Sequence, residues 1–101
     1  MEMAEKPLKV FETLDPKLLK LVESTGEFAL ADGALPRKFK LLIAMALDAA
    51  HGTAHGVKSL AQAAMQAGAT KEEIAETLRV AQYISGAGST YTAAQGLREL
   101  F

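Results

Sequence analysis

A chain of 101 residues, half hydrophobic but only 6% aromatic, has the size of one domain and an alanine-rich make-up suited to closely packed helices. Its 11 basic and 12 acidic residues leave a formal charge of -1, so no global field gathers nucleic-acid phosphates or an anionic membrane surface. With zero cysteines, disulfides, thiolate metal sites and cysteine nucleophiles are excluded together.

The opening run Met1-Glu2-Met3-Ala4-Glu5-Lys6 has no signal-peptide pattern. The longest strongly apolar run, Leu41 to Leu47, is far short of the roughly 20 residues that cross a bilayer, and a cytoplasmic protein without membrane or nucleic-acid partners is expected. Leu8, Val10, Phe11 and Leu14 precede Asp15-Pro16, where Asp15 can accept backbone N–H groups and Pro16 fits the first helical position. The helix so begun runs to about Phe28, with Leu18, Leu19, Leu21 and Val22 on one side and Lys17, Lys20 and Glu23 mostly on the other. Ala31-Asp32-Gly33 ends the pattern, and Pro36 opens the next helix, which reaches about His51 and is apolar nearly all round from Leu41 to Leu47.

Gly52 and Gly56 mark a break or a tight helix contact. Val57, Leu60, Ala61, Ala64 and Met65 then recur at helical spacing, and Gly68 ends that helix. Thr70-Lys71-Glu72-Glu73 has the form of a capping box, in which Thr70 bonds the N–H three residues on and Glu73 bonds back. Ile74, Leu78, Ala81 and Ile84 form the expected buried stripe. Gly86-Ala87-Gly88 interrupts, and Ser89 or Thr90 starts a last helix through Ala93, Leu97 and Leu100.

Two segments carry a family likeness. Leu35-Pro36-Arg37-Lys38-Phe39-Lys40-Leu41-Leu42-Ile43-Ala44, followed by the stretch from Ala63 to Glu76, resembles the carboxymuconolactone decarboxylase and alkylhydroperoxidase D (AhpD) superfamily over roughly three-fifths of the chain, residues 35–94. Its most diagnostic part is Gly68-Ala69-Thr70 with Glu72-Glu73-Ile74. The resemblance implies a single all-α, AhpD-like domain over residues 1–101, of about five to six helices around a central antiparallel hairpin, Pro36–His51 with Val57–Ala67. It also implies a homo-oligomer, a trimer or hexamer, and modest length with continuous apolar faces asks for the same burial.

In the peroxidase branch the resemblance places a glutamate, a C-x-x-C pair and a histidine at positions that here hold Leu41, Thr53, Gly56 and Leu60, counted without gaps from Gly68. A thiol must ionise to attack peroxide and a second must resolve the sulfenic acid, which threonine and glycine cannot do. The decarboxylase branch does not need the pair but needs acid–base groups, and Asp48, His51 and His55 are the candidates, since imidazole titrates near neutrality and a carboxylate can fix its tautomer. His51 and His55 would share a face on a continuous helix and, with Asp48, offer metal ligands, yet the glycines at 52 and 56 weigh against unbroken geometry; capping or exposed histidines are the bland account, and no metal or cofactor is assigned. Gln62, Gln66, Gln82, Tyr83, Ser85, Thr90 and Tyr91 are either pocket-lining groups or, more simply, tyrosines at a core edge or subunit contact with polar neighbours. Two functions follow: a redox-inactive oligomer that binds a small molecule or serves structurally, or a cofactor-free acid–base enzyme using His51/His55 and Asp48.

Overall fold

The computed structural model describes residues 7–101, so Met1 to Lys6, on which the signal-peptide reading falls, lie outside the described residues. These form six α-helices and no strand among the described residues: α1 Phe11–Leu14, α2 Pro16–Leu30, α3 Arg37–Ala50, α4 Ala54–Gln66, α5 Lys71–Ser85 and α6 Ala87–Leu97. No helix among the described residues is long and apolar enough to cross a membrane. The chain divides into two compact units, one ending at Ala31 and the other spanning Asp32–Phe101.

In the first unit, Asp15 Oδ1 accepts the Leu18 N–H at 3.1 Å while Pro16 occupies the first helical position, as the sequence leads one to expect. The single turn α1 packs on α2. No residue of α2 is fully buried, and Leu18, Leu21, Val22 and Phe28 are exposed.

In the second unit, α3 and α4 form the expected antiparallel hairpin, and each also packs on α6. Pro36 has no side-chain acceptor, so the start of α3 is capped from a distance: Asp32 Oδ1 takes the Arg37 N–H at 2.6 Å. Leu41, Leu42, Met45 and Ala49 face inward from α3, meeting Val57, Ala61 and Ala64 of α4 and Ile74 and Ala81 of α5 in one core. The turn between α3 and α4 is a Schellman motif. Thr53 N–H donates to Asp48 O at 2.9 Å and Gly52 N–H to Ala49 O at 3.3 Å, with Gly52 at φ +83°, a conformation that costs a side-chain-bearing residue energy. The same pattern closes α4 at Gly68, through Ala69 N–H to Ala64 O and Gly68 N–H to Met65 O.

The capping box at α5 is complete: Thr70 Oγ1 accepts from Glu73 N–H at 3.0 Å, and Glu73 Oε1 accepts from Thr70 N–H at 3.0 Å. The bond from Thr70 N–H, then the hydrogen-bonded ion pair with Lys38 at 3.1 Å, holds the Glu73 carboxyl below its ordinary value. At the far end Gly86 joins α5 to α6, and Ser89 Oγ donates to Gly86 O at 2.8 Å from a buried position.

Three expectations are corrected. The last helix begins at Ala87, two residues before Ser89, because Gly86 serves as its N-cap and Gly88 is accommodated inside it. The second hairpin helix begins at Ala54 instead of Val57, so Gly56 is helical and only Gly52 breaks the chain. Ile84 is 74% exposed: ten residues, or about 2.8 turns, beyond Ile74, it lies roughly a quarter turn round α5 from that buried residue, near the open end of the helix. Tyr83 and Tyr91 are also exposed and fill no core edge within one copy.

Candidate functional site

The corner where α3 gives way to α4 gathers the residues that the sequence singles out. Leu41 is buried in the core and Leu60 is half-buried on α4, both apolar and without acid–base capacity. Thr53 is the N-cap of α4, exposed, and its hydroxyl caps nothing. Gly56 lies one turn further on, and the space that a Cβ would take there is filled by the Asp48 carboxylate, whose Cγ lies 2.9 Å from that point. Asp48 thus reaches from the last turn of α3 across the corner onto the α4 backbone.

His51 and His55 do not share a helix face. His51 is the C-cap of α3, His55 sits in the first turn of α4, and the positive-φ Gly52 between them turns the chain, so the i, i+4 relation of a continuous helix does not apply. Both are exposed. No side-chain hydrogen bond or ion pair joins Asp48, His51 and His55, and among the described residues no group of three or more His, Cys, Asp or Glu is placed to hold a metal ion.

His55 instead opens onto a hollow of about 440 Å³ between the start of α4 and the end of α6, lined also by Ala54, Lys58, Gln95, Gly96 and Glu99. Lys58 Nζ donates to Glu99 Oε1 in an ion pair. Lys58, first by that bond and then by its charge, holds the Glu99 carboxyl below its ordinary value, with Arg98 and His55 adding to the effect. The hollow is therefore polar and bipolar, with a cationic wall on α4 and a carboxylate at the opposite rim.

Sequence reasoning passed over Lys58, Gln95 and Glu99. The local signal was faint: His55 and Lys58 are three apart on α4, whereas Gln95 is near the end of α6 and Glu99 lies in the turn after it, and only the fold brings the two pairs together. Of the other polar groups, Gln82 and Thr90 line a shallower groove of about 320 Å³ with Ala75, Leu78 and Arg79. Lys38 lies 4.9 Å over the Phe39 ring and pairs with Glu73, so it supports the start of α3 and α5.

Comparison with known proteins bears on the ancestry of this corner. The sequence pattern of the carboxymuconolactone decarboxylase family matches residues 16–99. The structure matches the crystal structure of apo-lpg0406, a carboxymuconolactone decarboxylase family protein from Legionella pneumophila, with a TM-score of 0.84 and 37% identity, over 90% of this chain and 81% of that chain. No curated protein matches the chain. The helical architecture and the sequence agree: the chain belongs to the carboxymuconolactone decarboxylase family, as a member without a cysteine.

Proposed function

We propose that the protein works as a redox-inactive homo-oligomer of one domain that binds a small molecule or serves structurally. The observation that carries this reading is the α4 corner itself: Thr53 and Gly56 stand where the resemblance places a thiol pair, and neither supplies a nucleophile to attack peroxide. Support for an oligomer comes from the large apolar side chains left exposed in one copy, among them Ile43, Leu47, Val80 and Phe28. The His55 hollow supports a small polar ligand, because an imidazole, an ammonium, an amide and a carboxylate converge on it. A trimer or hexamer is the expected assembly by family likeness, and a cytoplasmic setting fits the composition.

Two measurements test the proposal. Purified protein should turn over no peroxide with a dithiol reductant, and light scattering should give a mass that is a multiple of the 10.7 kDa chain. Peroxide consumption above the buffer rate, or a single-chain mass, would sink it.

The second reading is a cofactor-free acid–base enzyme of the carboxymuconolactone decarboxylase type, with His51 or His55 moving a proton and Asp48 orienting it. The exposure of both imidazoles toward solvent, and of His55 onto a hollow, favours access for a substrate. The separation of Asp48 from any hydrogen bond to either ring weighs against it. Decarboxylation of an unsaturated lactone acid by the natural chain, lost in a His51→Ala/His55→Ala variant that keeps its assembly, would establish this reading over the first.

A further inference from the structure

We propose that the Asp32–Gly33 peptide is a site of spontaneous covalent modification, where Asp32 closes on its own backbone and becomes isoaspartate, and that the cap of α3 restrains the reaction. The chain has three aspartates and no asparagine. The reaction needs the backbone nitrogen of the following residue to reach the aspartate Cγ, so that neighbour decides which of the three can react. Asp15 precedes Pro16, whose nitrogen carries no hydrogen. Asp48 lies inside α3, where the Ala49 N–H is committed to the helix and the backbone is fixed. Asp32 precedes glycine in the irregular stretch between α2 and α3. Gly33 puts no side chain in the way of its own nitrogen, and no atom beyond its chain neighbours comes within 4 Å of the point where a Cβ would stand.

In the folded chain both reacting groups are held. Asp32 Oδ1 accepts the Arg37 N–H at 2.6 Å, and the Gly33 N–H donates to Leu35 O at 3.2 Å. Neither bond belongs to the ladder inside a helix, so a local opening releases them. Gly33 N then attacks Cγ of the neutral Asp32 carboxyl. The N–Cγ bond forms, the nitrogen gives up its proton, and the Cγ–O bond breaks with release of water, leaving a five-membered succinimide. Water adds back at one of the two ring carbonyls. Attack at Cγ breaks the new N–Cγ bond and restores aspartate; attack at the Asp32 backbone carbonyl carbon breaks its bond to Gly33 N and leaves isoaspartate. No oxidant or co-reactant is needed. The backbone of the isomer runs through Cγ and is one methylene longer, and the free carboxylate hangs directly on Cα. The spacing that sets Oδ1 on the Arg37 N–H is lost, and α3 loses a side-chain acceptor at its start, where Pro36 offers none. The change falls on the first residue of the second compact unit.

The test keeps the natural chain folded at neutral pH and body temperature in oxygen-18 water and digests it afterwards in ordinary water. Each ring opening installs one solvent oxygen. Mass spectrometry should find label in the peptide carrying Asp32 and none in those carrying Asp15 and Asp48, with isoaspartate located by electron-transfer fragments. The same chain unfolded in guanidinium chloride should label at Asp32 at least about fivefold faster, the gain in free carboxyl that follows from losing one capping bond. Arg37→Pro removes the N–H that holds Asp32. Proline suits the first turn of a helix, and Pro36 at φ −62°, ψ 154° already has the backbone that a following proline requires. Folded Arg37→Pro protein, its helicity checked by circular dichroism, should label about fivefold faster than Arg37→Ala, which keeps the N–H. Gly33→Ala should lose most of the label, because its methyl group hinders the attack. In nitrogen-15 spectra of the aged protein, the Arg37 amide of the isomerised fraction should exchange with solvent faster than that of the unmodified chain. An Asp32 without label once the unfolded chain has gained it, or equal label at Asp48, overturns the site. Folded and unfolded chains reacting at one rate, or a folded Arg37→Pro protein no faster than Arg37→Ala, overturns the restraint, and the first of these comparisons decides it if Arg37→Pro fails to fold. An isomer with an equally protected Arg37 amide overturns the loss of the cap.

Discussion

Replacing Gly96 with alanine should destabilise the protein, although helices ordinarily favour alanine over glycine. Gly96 is buried within α6, and a methyl group there would press into the Ala54 carbonyl oxygen, with Val57 Cβ at 3.0 Å and Lys58 N at 3.1 Å. Propensity alone favours alanine by about 1 kcal/mol. Against this, forcing a methyl into a packed backbone costs about 1–3 kcal/mol, and a carbonyl on a neighbouring helix cannot rotate aside as a side chain can. Because the opposing atom is backbone, the clash should fall in the upper part of that range and win, leaving a net loss of up to about 2 kcal/mol. For a domain of this size each kcal/mol lowers the melting temperature by roughly 4–8 °C. Gly88 supplies the internal control: it belongs to the same helix, nothing lies within 4 Å of its would-be Cβ, and Gly88→Ala should raise stability by about 0.5–1 kcal/mol. Thermal unfolding followed by circular dichroism, at one fixed protein concentration because assembly is linked to stability, reads both variants. A Gly96→Ala protein that melts at or above the natural one would show that α4 and α6 can part at no cost, and the reasoning from close approach would fail.

Three further outcomes are expected. Thr70→Ala removes the side-chain acceptor for Glu73 N–H and should cost about 1 kcal/mol in urea unfolding, with an unchanged slope. Because the folded Glu73 carboxyl titrates below its ordinary value of about 4.5, its contribution is complete above that pH and is lost as pH falls through the lowered folded value; the stability gap between the natural protein and Glu73→Gln should therefore be present at neutral pH and shrink on acidification below 4.5. A gap that widens on acidification would contradict the sign. Gly56→Ala must displace the Asp48 carboxylate, the far end of a flexible side chain, at a cost of about 1 kcal/mol; in an Asp48→Ala background that cost should largely disappear, which a double-mutant cycle measures directly.

What could be read from the sequence was local. Asp15-Pro16, Gly52, Gly68 and the Thr70/Glu73 box each act within five residues of themselves, so composition and spacing carry the signal, and the helices they bound are found where expected. The reading failed where an interaction spans the fold or where apolar spacing has two meanings. Lys58 and Glu99 are 41 residues apart and meet only because α4 and α6 cross closely at Gly96. The Asp32 cap of α3 acts across a five-residue gap bent by Gly33 and Pro36, beyond the spacing of ordinary capping motifs. Ile84, Tyr83 and Tyr91 look like core residues by type, and periodicity does not distinguish a side chain that enters its own core from one left at the surface. Asp48, His51 and His55 were legible as candidates, yet their relative placement depends on the direction in which the Gly52 turn sends α4, which residue identity alone does not give.

The carboxylate folded over Gly56 makes the introduction of sulfur chemistry at this corner order-dependent. A cysteine arriving at residue 56 ahead of any change at 48 would collide with an acid already parked in its volume, and the thiolate it must form would face a like charge. Shortening Asp48 first empties that volume and spares the newcomer the repulsion. Building a thiol pair at residues 53 and 56 thus has a preferred order of steps, and the acid works as a latch against the reverse sequence.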